Sequence, residues 1–407
     1  MDKATIRIVV LDDEPLMLNL IAFLLRNLGF PHVFECDSGS AALGFVDGPW
    51  QPDIILLDLN MPEMDGVEFV RRLVERNFGG KLILVSGEDP RVLHMVETLI
   101  RAHRLSVVGY LSKPFTREGM HEIMERALRS PGEAAAVRKG YDAAAVRVAI
   151  AQGQLVNFYQ PMIDVETAAL AGVEALVRWQ HPEDGLVYPD QFIAVAEENG
   201  LIDLLSRIVL RNALTDAGQW RAAGVSTRIS VNLAMENLLS TNFVDFLGRE
   251  AERTGIAPDD IVLEVIQHRV LQDPRGPLEV LARLRLKRFR LAIDDFGTGH
   301  ATLQQLRDIP FDAMKIDRSF VHGASRDPTA RAIYDASLAL GKQLGMTVVA
   351  VGVETRQDWE LLRNTGCDLA QGYFIGRPMS AEDLAHWFDE WDVRRHAVLG
   401  SARVAGK

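Results

Sequence analysis

Three aspartates, a serine and a lysine in the first third of this 407-residue chain are spaced for phosphoryl transfer. Asp12 and Asp13 end one short apolar run, Asp58 ends another, Ser86 ends a third, and Lys113 lies just past a fourth. As parallel strands of an open sheet, those runs would gather all five side chains at their carboxyl ends, where such sheets bind ligands. Three carboxylates there make a hard oxygen site suited to Mg²⁺. One carboxylate could then accept a phosphoryl group, with Mg²⁺ offsetting the charge and Lys113 and the Ser86 hydroxyl holding phosphoryl oxygens.

A second set lies further on: Glu174, Asn232, Glu264, Asp294, Asp295, Lys315 and Glu354, each at or near the end of a strand-like run. Carboxylates with one amide oxygen suit Mg²⁺ or Mn²⁺ rather than soft metals. The adjacent Asp294-Asp295 pair could bridge two ions. Two ions would activate a water and clamp the oxygens of a phosphodiester during in-line displacement.

The elements that must carry these residues follow from periodicity. Apolar runs at 6–11, 32–36, 53–57, 81–85 and 107–111 alternate with stretches of helical spacing such as Leu16, Leu20, Phe23, Leu24 and Leu28. That alternation predicts an α/β fold, a doubly wound parallel sheet over residues 1–130. Residues 131–141 read as a linker, 142–392 as a second domain and 393–407, with Arg394, Arg395 and His396, as a frayed tail. In the second domain the runs 158–163 and 170–178 are joined by too short a turn for a parallel crossover and must form an antiparallel hairpin. Runs at 228–233, 261–266, 291–294, 313–316, 347–350 and 372–375 complete a TIM-like (β/α)8 barrel with one antiparallel strand, whose functional residues belong at the strand ends.

Composition narrows the function classes. With 48% hydrophobic and 25% charged residues the chain reads as globular, and two domains fit its length. A net charge of −12 argues against a DNA partner, whose phosphates it would repel. Two distant cysteines, Cys36 and Cys367, build no disulfide framework. The first residues carry no signal-peptide pattern, and no apolar run is long enough to insert into a membrane. These features together predict a cytoplasmic protein.

Residues 5 to about 128 resemble the receiver (CheY-like) domains of two-component response regulators. Asp58-Leu59-Asn60-Met61-Pro62-Glu63-Met64-Asp65-Gly66 matches the segment around the family's phosphoacceptor, and Lys113-Pro114-Phe115 matches its lysine turn, often a cis-proline. The resemblance implies that Asp58 takes phosphate from a histidine kinase with Mg²⁺ held by Asp12, Asp13 and Asp58, and that Ser86, Lys113 and Tyr110 form the switch.

Residues 150–385 resemble the EAL family, which hydrolyses cyclic-di-GMP to linear pGpG. Glu174-Ala175-Leu176 is the signature itself, and Gln160-Pro161, Val231-Asn232-Leu233, Asp294-Asp295-Phe296-Gly297-Thr298-Gly299, Lys315-Ile316-Asp317 and Ala370-Gln371-Gly372-Tyr373 continue the match. By resemblance, Glu174, Asn232, Glu264 and Asp294 hold a first Mg²⁺ or Mn²⁺. Asp294 and Asp295 help hold a second, and Lys315 lies near the nucleophilic water. Arg178 would contact a ligand phosphate, and Gln160 and Gln371 would lie against the dinucleotide. A homodimer is a further family expectation.

Two departures bear on turnover. The family's Glu-Gly-Val-Glu segment reads Val351-Gly352-Val353-Glu354, so an apolar side chain replaces a carboxylate associated with the second metal. Its Glu-x-Thr-Glu run reads Glu264-Val265-Ile266-Gln267, losing a charge tied to the loop after Asp295, where His300 replaces an aromatic. Three functions follow: a phosphodiesterase controlled through Asp58, a silent cyclic-di-GMP receptor acting through a protein partner, or a structural platform. No helix-turn-helix segment or Gly-Gly-Asp-Glu-Phe-like motif points to a transcription factor or a cyclase.

Overall fold

The apolar runs of the first half form a parallel sheet and those of the second a closed barrel, in a computed structural model that describes residues 3–87, 90–103, 105–128, 140–265, 275–298 and 303–399. The two units are Met1–Arg138 and Lys139–Lys407. Among the described residues no helix is long and apolar enough to cross a membrane.

In the first unit β1 (Arg7–Leu11), β2 (His32–Cys36), β3 (Ile54–Asp58), β4 (Lys81–Ser86) and β5 (Ser106–Ser112) pair in the order β2-β1-β3-β4-β5, all parallel. Successive side chains point to opposite faces of a strand. Val9, Leu11, Ile55, Leu57, Leu82 and Leu84 therefore pack on one face with helices Gly39–Asp47, Gly66–Glu75 and Pro90–Ala102. Ile8, Val10, Ile54, Leu56, Ile83 and Val85 pack on the other with helices Pro15–Asn27 and Arg117–Leu128. Burial on both faces is why these strands are continuous apolar runs rather than alternating ones. The turn after β3 depends on Gly66: its amide donates to the Leu59 carbonyl at 2.9 Å, and a Cβ there would lie 2.8 Å from Leu59 Cα.

The second unit contains β6 (Leu155–Asp164), β7 (Leu170–His181), β8 (Gly185–Val187), β9 (Arg228–Leu233), β10 (Ile261–Val265), β11 (Arg290–Phe296), β12 (Ala313–Ile316), β13 (Thr347–Val351) and β14 (Leu369–Gln371). Their order is β6-β14-β13-β12-β11-β10-β9-β7-β8, and β6 also pairs with β7, which closes eight strands into a barrel with β8 as an addition. β6 is antiparallel to both of its neighbours, β7 and β14, as the short hairpin requires. Asp164 makes that turn: its Oδ1 accepts from the amides of Glu166 and Thr167 at 3.1 and 2.8 Å.

Two expectations are corrected. The last barrel strand is Leu369–Gln371, not 372–375. Gly372 lies so close to Val353 that a Cβ would meet the Val353 carbonyl at 2.2 Å, and the Ile375 and Gly376 amides fold back to the Gly372 carbonyl at 3.0 Å each. The chain turns there because a glycine permits that approach. The expected frayed tail is helical through Leu399: helix Ala381–Leu399 carries Arg394, Arg395 and His396 and buries Trp387, Trp391 and Val398 against the barrel. Most of the segment read as a linker, 131–139, falls outside the described residues. Its end is fixed: the Tyr141 ring packs 4.5 Å from Trp179 and its hydroxyl donates to Asp184 Oδ2 at 2.8 Å.

Candidate functional site

The register of the parallel sheet brings Asp12, Asp58, Ser86 and Lys113 together at one end of the first unit. Asp58 is the last residue of β3 and Ser86 the last of β4; Asp12 and Lys113 directly follow β1 and β5. The Lys113 amide donates to the Ser86 carbonyl at 2.8 Å, and the Lys113–Pro114 peptide is cis. Lys113 Nζ lies 2.7 Å from Asp12 Oδ2 and 3.1 Å from Asp58 Oδ1. Asp12, Asp13 and Asp58 each offer an oxygen within 4.8 Å of the others. Burial raises the Asp58 carboxyl above its usual range, against the pull of Lys113. Burial likewise opposes the Lys113 charge, but Asp12 and Asp58 outweigh it and hold that ammonium above its usual pKa. The donor chemistry fits a hard divalent cation, which these three carboxylates would hold. Ser86 is fully buried beside them, whereas Tyr110 is 39% exposed.

In the barrel, strand register sets polar residues side by side, Gln160 with Glu174 and Glu264 with Asn232, and places the apolar Val351 beside Gln371. At its centre stands Lys315 on β12, 3% exposed. Its Nζ donates to Glu174 Oε2 at 3.0 Å and Glu264 Oε2 at 2.5 Å, and Asp294 Oδ1 is 3.5 Å away. Asn232 Nδ2 donates to Glu174 Oε1 at 2.9 Å, and Gln371 Nε2 donates to Glu174 Oε2 at 2.7 Å and to Gln160 Oε1 at 3.2 Å. Six of the expected residues thus form one hydrogen-bonded network, which Asp294 joins as an ion pair with Lys315.

Its electrostatics follow from burial and count. Burial opposes the Lys315 ammonium, but Asp294, Glu174 and Glu264 keep it charged well above its usual range. Burial also raises carboxyl pKa values, yet Lys315 and the Gln371 and Asn232 hydrogen bonds hold Glu174 below the ordinary carboxylate range. Glu264, desolvated and beside the Glu174 charge, is pushed well above it. Asp295 stands at φ 51° after Asp294, whose Oδ1 accepts its amide at 2.9 Å. Partial desolvation and the charges of Asp294 and Asp317 push its carboxyl up to about 6. One cation among so many carboxylates leaves surplus negative charge, and oxygen donors are the kind that suits a hard divalent ion, but Lys315 Nζ lies between them and, among the described residues, no three barrel carboxylates offer oxygens within 4.8 Å of one another as those of the first unit do.

Three expected residues lie apart from this network. Arg178 shares the inner face of β7 with Glu174, with its guanidinium 4.9 Å from the Tyr188 ring centre and 5.6 Å from that of Phe158. Glu354 Oε1 is held by Arg318 Nη2 at 2.8 Å, away from Lys315. Asp295 opens to solvent. Val351, half-buried, occupies the interior face of β13. Gln267 and His300 lie outside the described residues. Sequence reasoning assigned no role to Arg318, Asp317 or Asp358. The first two sit within three residues of Lys315, and Thr355-x-x-Asp358 has the spacing of a capping box.

Comparison with known proteins agrees with this geometry. The family model for the EAL domain matches residues 143–378, and that for the response regulator receiver domain matches 8–125. The cyclic di-GMP phosphodiesterase RocR of Pseudomonas aeruginosa is 29% identical over 94% of this chain and 98% of its own length. An uncharacterized signaling protein of Caulobacter vibrioides is 41% identical over 60% of this chain, which spans only 30% of that relative. Among solved structures, the PaMucR phosphodiesterase in complex with c-di-GMP is 37% identical, with a TM-score of 0.56 over 59% of this chain and 98% of that one. The chain belongs to the EAL domain family, its EAL barrel preceded by a response regulator receiver domain.

Proposed function

We propose that this protein is a two-component response regulator, phosphorylated on Asp58 by a histidine kinase, whose barrel binds cyclic-di-GMP and hydrolyses it to pGpG at a rate held low by Val351. The observation that carries this reading is the network around Lys315. A buried lysine among three carboxylates, an asparagine and two glutamines has no structural necessity in a barrel whose interior is ordinarily filled by branched apolar side chains. RocR, matched nearly end to end, is a cyclic di-GMP phosphodiesterase.

In the receiver, Asp12, Asp13 and Asp58 would hold Mg²⁺, and Lys113 and Ser86 would take phosphoryl oxygens once Asp58 is modified. In the barrel, Glu174, Asn232, Glu264 and Asp294 would hold a first Mg²⁺ or Mn²⁺, and Asp294 with Asp295 a second. Ions bound there supply water activation and charge neutralisation at the phosphodiester. Lys315 is placed to stay protonated beside the reacting phosphate and to balance carboxylate charge. Arg178, its plane braced by Tyr188 and Phe158, offers a guanidinium to a ligand phosphate. Gln160 and Gln371 would lie against the dinucleotide, where Gln371 Oε1 is a buried acceptor with no partner among the described residues. The same reading places the protein in the cytoplasm as a homodimer.

Val351 favours a second reading, a non-hydrolysing cyclic-di-GMP receptor, because valine has no lone pair to give. One assay separates the two: pGpG formation from cyclic-di-GMP in Mg²⁺ or Mn²⁺, with Glu174→Ala and Val351→Glu alongside. Slow turnover that Glu174→Ala abolishes supports the enzyme. No turnover in the wild type, with undiminished binding of cyclic-di-GMP, replaces it with the receptor.

A further inference from the structure

We propose that Asp358 is a positioning residue of the barrel site, fixing the turn that carries Glu354 against the segment that follows Lys315. The inference rests on the reading of the barrel as a cyclic-di-GMP site and adds a residue to it.

Asp358 lies in the first turn of helix Arg356–Thr365 and closes a capping box: its amide donates to Thr355 Oγ1 at 3.2 Å, and its Oδ2 accepts the Thr355 amide at 2.9 Å. Capping uses one contact of the carboxylate. The remaining three reach beyond the helix. Oδ2 also accepts the Glu354 amide at 3.1 Å and lies 3.0 Å from His322 Nδ1, while Oδ1 accepts the Gly323 amide at 3.0 Å. Both oxygens are therefore used, in a carboxylate 1% exposed. His322 and Gly323 end the short helix Arg318–Val321 that begins three residues after Lys315, whereas Glu354 follows β13. One buried charge thus ties the connection after β12 to the connection after β13.

The two connections touch elsewhere as well. Gly352 has φ 82°, and a Cβ there would lie 2.3 Å from Arg318 Cγ, so the arginine stem runs directly over the turn. The arginine head then meets Glu354 Oε1 at 2.8 Å. Arg318 fixes the Glu354 carboxylate from one side and Asp358 fixes its backbone from the other. A buried carboxylate is tolerated only when its lone pairs are satisfied, and this one is satisfied entirely by the two connections it joins. Displacement of a site residue by about 1 Å can change its contribution by up to about 100-fold, which makes the placement of this turn consequential.

The test is a double-mutant cycle in the full-length protein, reading the dissociation constant of cyclic-di-GMP in Mg²⁺ by calorimetry for wild type, Asp358→Asn, Glu354→Gln and the double variant. If Asp358 acts through Glu354, each single variant weakens binding about five- to tenfold and the double variant is no weaker than the worse single one. Losses that multiply in the double variant, or an Asp358→Asn variant that binds like the wild type, overturn the proposal. Amide hydrogen exchange decides the matter independently of any ligand. Positioning requires faster exchange at Glu354 and Thr355 in Asp358→Asn with helix 356–365 unchanged. Unchanged exchange at those two amides, or faster exchange along the whole helix, reduces Asp358 to a cap. A wild type that binds no cyclic-di-GMP removes the nucleotide reading and leaves the exchange result to decide the clamp.

Discussion

Replacing Lys315 by alanine should destabilise the barrel strongly, and a divalent cation should restore much of the loss. Lys315 is the central cation of a cluster in which Glu174 and Glu264 are its direct partners and Asp294 lies 3.5 Å away. Glu264 is 1% exposed and Glu174 6%, so neither can recover its hydration when the ammonium is removed. Breaking a buried ion pair by deleting one partner costs about 3–5 kcal/mol, because the other charge is left uncompensated. At about 2–4 °C per kcal/mol for a domain of this size, the melting temperature of the unit should fall by roughly 6–20 °C. Part of the loss is relieved by protonating Glu264, whose carboxyl burial and the Glu174 charge already push well above its usual range. The assay is thermal unfolding at pH 7.5, with and without Mn²⁺. The variant should recover more than the wild type on adding Mn²⁺, because the ion supplies the charge that the lysine supplied. A Lys315→Ala protein melting within about 2 °C of wild type, indifferent to the ion, would refute the view of the lysine as counter-charge to a metal-ligand set.

Val351→Glu should raise pGpG formation about tenfold or more, equivalent to about 1.4 kcal/mol or more of transition-state stabilisation, measured by steady-state kinetics in Mn²⁺. Asp58→Asn should abolish label incorporation from acetyl phosphate while leaving the far-ultraviolet spectrum unchanged. Gly66→Ala should cost about 1–3 kcal/mol in the receiver, since its Cβ would press to 2.8 Å on Leu59 Cα; denaturant unfolding reads this. Burial raises the Asp358 pKa, but the Gly323 amide, His322 and the Thr355 and Glu354 amides outweigh it and hold the group below its usual range. A depressed folded pKa contributes stability above the unfolded value, roughly 4, that is lost as pH falls through the folded one. The stability gap between wild type and Asp358→Asn should accordingly be widest near neutrality and close at pH values below about 4.

Much of this architecture is legible from the amino-acid order. The runs at 228–233 and 313–316 are strands with those same bounds, each carrying its polar site residue, Asn232 or Lys315, next to an apolar last residue. Residues 372–375 look equally strand-like, but what ends the strand before them is the contact of Gly372 with the Val353 backbone, which periodicity does not register. The charges of residues 393–407 point to a frayed end, but Val398 falls on the same side of the helix as Trp387 and Trp391 before it, and all three bury against the barrel. The residues that meet around Lys315 carry the motifs, but the motifs do not say which charges pair. That Lys315 sits inside the ligand set and that Arg318 takes Glu354 depends on side chains from β7, β10, β11, β12 and the connection after β13 converging in space.

The reversed direction of β6 sets where the chain joins the barrel. Seven strands run toward the end where Glu174, Asn232, Glu264, Asp294 and Lys315 gather; β6 runs the opposite way, so its beginning at Leu155 lies at that same rim. Tyr141 confirms the placement by docking on Trp179, one residue past Arg178 on the strand that also bears Glu174. In topological terms, the door by which the polypeptide enters the barrel and the workbench inside it share a wall. A push or pull arriving along the backbone at residue 141 would act on the Arg178 end of β7 directly, without crossing the length of the barrel.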